Sequence, residues 1–418
     1  MSDKVKNRWL IAACGVGIHL SIGSVYSWSV FTKPLMNEYG WSLSRVSWTF
    51  SIAILFLGLA AAFMGHFVEK HGPRKSGIIS ASFFGVGLLG SGLAINAESL
   101  TLLYVAYGVF GGIGLGIGYI APVSTLVKWF PDRRGLATGL AIMGFGFASL
   151  IASPVINSLI NLVGIAGTFY ILGIVYLAIM LLSSSYLSPP PVGWKPKGYD
   201  ESMEKRKHKP QDLSQLTANE ASKTRRFWYL WLMLFINVTC GIAIISVASP
   251  MAQEIAGLSA AAAATMVGIM GLFNGLGRIG WASLSDYIGR PNVYTAFFAI
   301  QIVLFILLPI TTASLLFQVS IFFILSCYGG GFASIPAYIG DLFGTKQLGA
   351  IHGYILTAWA AAGLVGPILV SWLRETTQSY TLTLYIFAAA FLVALVVSIL
   401  IQADVKKLRQ KNKERAAS

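Results

Sequence analysis

The chemistry this sequence could do centres on Arg278. It sits in the middle of an apolar block, Gly268–Leu284. An arginine at the centre of a bilayer-spanning helix costs about 2.5–3.5 kcal/mol on insertion scales. A buried acid would relieve that cost, but all 16 Asp and Glu residues fall in loops or at the ends of apolar blocks. An intramembrane cation without an acid marks a functional site, and the ligand it lacks is an anion. The guanidinium presents a planar pair of donors that matches a carboxylate. Asn274 lies one turn earlier on the same face, so its amide can donate to a bound anion or accept from the guanidinium. Tyr119 closes a run from Gly108 to Gly118 whose six glycines allow a neighbouring helix close approach. Its hydroxyl can donate to a carboxylate; a plain interfacial tyrosine is the alternative. The run does not fit G-x-G-x-x-G and follows no strand, which sets a nucleotide loop aside. His19 and His352 lie within or beside apolar blocks and are candidate proton-relay members, against the plainer reading of packed, hydrogen-bonded imidazoles.

The elements that must position these residues are membrane-spanning helices. The 418 residues are 56% hydrophobic and 11% charged, with a mean hydropathy of +0.70; soluble domains carry about 25% charged residues. Apolar blocks long enough to span a bilayer fall at about 9–31, 46–67, 76–97, 101–127, 136–160 and 165–187. A polar stretch, 188–226, opens with Pro189-Pro190-Pro191. A second series follows at about 227–250, 260–284, 292–313, 315–339, 349–373 and 379–402, then a basic tail. The expected organisation is a six-helix bundle over 1–187, a cytoplasmic linker over 188–226, a second six-helix bundle over 227–404 and a basic cytoplasmic tail over 405–418. With both termini cytoplasmic, all but four of the 30 Lys and Arg residues lie inside; the exceptions are Lys33, Arg45 and Arg374 outside and Arg278 within a span. That bias follows the retention of positive residues on the cytoplasmic side. The N-terminal run Trp9–Phe31 exceeds a signal-peptide core and has no small-residue cleavage site, so it reads as the first span.

The net charge of +14 sits in short loops and not on one folded surface, which argues against nucleic acid as a partner. Cys14, Cys240 and Cys327 lie in separate apolar blocks without metal or disulfide spacing. No span holds paired acids or a metal-spaced His/Cys set, so neither an enzyme nor a cofactor is expected.

The two series look like copies. Gly65, Glu69, Lys70, Gly72, Arg74 and Lys75 lie between spans 2 and 3, and Asp286, Gly289 and Arg290 occupy the matching place between spans 8 and 9. Phe130 precedes Pro154 by the same 24 positions as Phe343 precedes Pro367. Internal duplication of this kind accompanies rocking transporters with a midplane site. The loop signature resembles that of the major facilitator superfamily. It reads physically as a conformational latch of Gly65, Glu69, Lys70, Gly72, Arg74, Asp286, Gly289 and Arg290, in which acid and base pair in one conformation and part in the other.

Within that superfamily, the strings from Tyr26 to Phe31, from Trp129 to Ala137, and Phe273-Asn274-Gly275 with Arg278 are similar to the oxalate/formate antiporter family and related monocarboxylate porters. The resemblance implies an all-α polytopic membrane protein with the major facilitator fold, twelve transmembrane helices in two six-helix pseudo-repeats, and small carboxylates as substrates. It implies a substrate-facing Tyr119 and a cavity lined by aromatics of spans 1, 5, 10 and 11. Tyr26, Trp28, Phe145, Tyr328, Phe332 and Trp359 are the candidates, with helix packing the alternative for each. Where animal monocarboxylate porters have an aspartate that pairs with the arginine, this chain has Asn274, which cannot titrate. Where the dicarboxylate-exchanging member has a lysine, it has Trp359, so a monoanion is implied: lactate, pyruvate, glycolate, acetate or formate. Importing a monoanion against the membrane potential costs about 2.3 kcal/mol per 100 mV. Proton symport or anion exchange removes the cost, and the expectation leans to symport. The expected setting is an inner membrane, with the chain acting as a monomer in the lipid bilayer.

Overall fold

The structure of the protein, a computed structural model, describes residues 5–130, 134–191, 193–196, 213–311, 313–344 and 347–417. Among these, 11 helices are long and apolar enough to cross a membrane. One of them, Ile142–Tyr186, has 45 residues, about 68 Å of helix against about 30 Å of hydrocarbon. It breaks at Gly164, where φ is 74° and ψ is 178°, so it makes two crossings (142–163, α5, and 165–186, α6). The others are α1 (Arg8–Ser27), α2 (Leu43–Phe63), α3 (Lys70–Asn96), α4 (Leu100–Leu126), α7 (Arg225–Ile255), α8 (Ala260–Ser285), α9 (Arg290–Ile310), α10 (Ser314–Phe343), α11 (Leu348–Thr377) and α12 (Thr381–Leu408). Twelve crossings place both ends of the chain on one face, called here the terminal face. Exposed positions such as Leu162, Leu182, Leu315 and Leu392 are apolar, as a lipid-facing surface requires: backbone polar groups are satisfied within each helix and the rim carries hydrocarbon.

Local sequence explains the departures from regular helix. In α1 the backbone tightens into a 3-10 turn at Gly23–Ser27, and a helix then continues from Ser29 to Tyr39, past the end expected near Phe31. Gly23 faces the backbone of Phe145, where a Cβ would collide. In α4 the glycine run does what small residues do in membranes. Gly108, Gly112 and Gly116 lie against α2, and Gly114 and Gly118 against α3. The two signature loops share a backbone feature as well as residues. Gly72 and Gly289 both take positive φ, 80° and 89°, a region that favours glycine.

Of the latch residues, the side chains of Glu69 and Asp286 lie outside the described set. Arg290 pairs with Asp341 at 3.4 Å, tying the start of α9 to the end of α10. Within the polar 188–226 stretch, Thr217 and Glu220 form a capping box around one helical turn, and Leu213 and Leu216 donate backbone hydrogen bonds to Asp341 and Phe343 at the end of α10. The basic tail is a continuation of the last helix, which runs to Ala417. It is rich in Lys, Arg and Gln, which favour helix, and has no Gly or Pro to stop one.

The halves meet along two seams. Between α5 and α8 the backbones close at Gly146 and Gly275. Between α2 and α11, Gly58 packs on Ala360 and Gly363 on Ile54. Towards the face opposite the termini this second seam becomes polar. Ser47 and Ser371 share a hydroxyl hydrogen bond, and the Ser44 backbone N–H and Oγ donate to the Glu375 carboxylate at 2.7 and 2.6 Å. Ser44 lies in the first turn of α2, so Glu375 caps the helix of the other half.

Candidate functional site

Arg278 is 5% exposed and lies well inside α8, facing the seam between the halves. Its Nε donates to Asn274 Oδ1 at 3.3 Å, the one-turn contact the spacing predicts. That bond leaves the Asn274 amide N–H groups as its remaining donors. Arg278 Nη1 is buried without an acceptor. A buried charged donor without a partner is costly, and an anion would relieve it.

Around the guanidinium the aromatic residues form a closed circuit. Phe145 meets Tyr26 edge-on at 5.0 Å between ring centroids. Tyr26 meets Tyr328 at 6.3 Å, and their hydroxyls hydrogen-bond at 2.9 Å across the halves. Tyr328 meets Phe332 at 5.3 Å, Phe332 meets Trp359 at 4.9 Å, Trp359 meets Tyr119 at 5.5 Å, and Tyr119 returns to Phe145 at 5.6 Å. The Arg278 guanidinium carbon stands 5.7 Å from the centroid of Phe332. Its charge also acts on the hydroxyls of Tyr26 and Tyr119. Edge-to-face contacts hold rings in defined orientations, so the circuit forms a rigid rim about the cation. Trp359 Nε1 is a second buried donor without an acceptor in this circuit.

The structure brings together Arg278, Asn274, Tyr119, Tyr26, Phe145, Tyr328, Phe332 and Trp359. It does not bring Trp28 to them. Trp28 packs against Tyr107 at 4.6 Å and Phe31 at 5.9 Å, inside the first half. Residues two positions apart on a helix do not share a face, so Trp28 points away from Tyr26. The two histidines separate as well. His19 is fully buried, stacks on Tyr119 at 5.5 Å, and its Nε2–H donates to the Tyr119 carbonyl oxygen at 3.1 Å. The carbonyl can only accept, so Nε2 carries the proton. His352 lies seven positions before Trp359 in α11, about 10 Å along the helix. Sequence reasoning missed Ser149 and Met270, which sit one turn from Phe145 and Asn274 and line a small cavity beside the ring. The one-turn register from those residues was the available signal. It also missed the pairing of Ser44 with Glu375, for which the sequence holds no signal.

Twelve membrane crossings in two repeats, with a buried cation on the seam between them, define a membrane transport protein of the alternating-access type of fold. The chain belongs to the major facilitator superfamily, whose family profile matches residues 13–333 and 240–418. It is 28% identical over 363 residues to the oxalate:formate antiporter of Oxalobacter formigenes, covering 86% of this chain and 83% of that one. It is 25% identical over 375 residues to monocarboxylate transporter 12 of Xenopus laevis, covering 84% and 79%. Its fold is similar to the crystal structure of a bacterial homologue of the human lysosomal transporter Spinster, with a TM-score of 0.72 at 15% identity over 96% of this chain and 97% of that one.

Proposed function

We propose that the protein carries a small monocarboxylate, of the lactate or pyruvate kind, across an inner membrane by alternating access. The observation that carries this reading is Arg278, a buried guanidinium with an unmatched Nη1 inside an aromatic ring shared by both halves. The carboxylate takes Arg278 Nη1 and the Asn274 amide. The Tyr119 hydroxyl and Trp359 Nε1 are further donors on the rim. Among the described residues the ring holds one cation and no acid, so one monoanion neutralises it and a dianion leaves a surplus charge in low dielectric. The terminal face is cytoplasmic in this reading, because it carries nearly all the Lys and Arg. The halves rock about the site, the Ser44–Glu375 cap closes the outer end, and the signature loops with Arg290 act as the inner latch.

The coupling favoured is one proton with each anion, which makes the loaded step electrically neutral. Strict anion exchange is the second reading, supported by the likeness to an oxalate:formate antiporter. Radiolabelled L-lactate uptake into proteoliposomes decides between them. Accumulation driven by an inward proton gradient, with no internal anion, is the expected result. Uptake that requires preloaded carboxylate and ignores the gradient would establish exchange. Undiminished uptake by Arg278→Gln would overturn the site.

A further inference from the structure

Beside the aromatic ring, on the side away from the terminal face, lies a cavity between the halves. It shares Tyr26 and Asn274 with the site, and its other walls include Ser149, Val267, Met270 and Leu325. Its position follows from helix register. Ser149 is four residues after Phe145 in α5, Met270 four before Asn274 in α8, and Leu325 three before Tyr328 in α10. The helix α5 runs away from the terminal face and α8 and α10 run towards it. All three steps therefore point the same way and place the cavity one helical turn, about 5.4 Å, beyond Phe145, Asn274 and Tyr328. It has room for about one water-sized group.

Its walls differ in freedom to change. Gly271 forms part of the lining, and a Cβ there would collide with Ser149 Oγ and the Gly146 carbonyl, so the α5–α8 contact fixes that side. Met270 and Leu325, also in the lining, carry flexible apolar ends, and methionine fills irregular gaps readily. The distance from Asn274 matches the reach of a short aliphatic chain. We propose that this cavity receives the end of the substrate distal to its carboxylate, and that Met270 and Leu325 set the longest chain accepted. The inference rests on the monocarboxylate reading above and adds the selection of chain length.

The test is competition by acetate, propionate, butyrate and valerate against radiolabelled L-lactate uptake by the full chain in proteoliposomes. In the unaltered protein, inhibition is expected to fall sharply beyond propionate. Met270→Ala enlarges the cavity and should improve butyrate and valerate relative to acetate by about fourfold for each methylene accommodated. Leu325→Phe should act in the opposite direction, weakening propionate relative to acetate. Ratios of inhibition constants within one preparation do not depend on how much of a variant is folded, so one active variant suffices. The same ratios in all three proteins would overturn the proposal while leaving the monocarboxylate reading intact, and so would equal inhibition from acetate to valerate in the unaltered chain. An unaltered protein that takes up no L-lactate under either a proton gradient or exchange conditions would remove both.

Discussion

The two halves contribute equally to the ring and unequally to its charge. The first half supplies Tyr26, Tyr119 and Phe145, backed by His19; the second supplies Tyr328, Phe332 and Trp359 together with Arg278 and Asn274. A bound anion would thus be held electrostatically by the second half, while the first closes over it with rings and hydroxyls. The division suits a rocking carrier. Strong bonds to one half alone need not break when the halves part, and the aromatic contacts across the seam are individually weak. The Tyr26–Tyr328 hydrogen bond and the Tyr119–Trp359 contact are the two places where the ring crosses from half to half.

The comparison breaks most completely if the charge is removed. Arg278→Gln should lower L-lactate uptake by about 100-fold or more, the scale for losing a buried charged partner, read as initial rates at matched protein density. It is sharpened by charging the opposite side of the ring. Trp359→Lys puts a second cation on α11, and oxalate should then compete against L-lactate about tenfold better, since buried charges interact over several kcal/mol at contact distance. The outer closure is tested separately from the ring. Glu375→Gln keeps an acceptor but loses the charge-assisted bonds from Ser44, and about a fivefold rise is expected in maleimide labelling of a Leu325→Cys reporter from that face. Tyr119→Phe removes one neutral donor and should raise the KM for L-lactate by about three- to tenfold. The smallest change is expected from His352→Gln, which lies off the ring; it should alter uptake and its pH profile less than His19→Gln, which disturbs Tyr119 directly.

Much of this was legible beforehand, for reasons tied to particular residues. Arg278 stood out because a cation in an apolar block is expensive, and Asn274 because one turn of helix fixes its direction. The break at Gly164 was foreshadowed by the gap between apolar blocks at 160 and 165. Trp28 is two positions from Tyr26, a spacing that places it on another face of a helix, so its separation from the ring was readable from register. Hydropathy marks where a helix enters and leaves a membrane and is silent on how its backbone winds between.

What the amino-acid sequence determined by itself is everything governed by transfer from water to hydrocarbon: the number of crossings, the repeat of six and six, and the isolation of one cation among them. Those terms are large and local, so they can be read along a chain. The tertiary structure alone decided what depends on pairs hundreds of positions apart: the closure of six rings into one circuit, the meeting of Ser44 with Glu375, and the cavity one turn beyond Asn274. These follow from which helix faces meet and how closely. That packing is set by small residues such as Gly146 and Gly275, whose role appears only when the opposing backbone is in place.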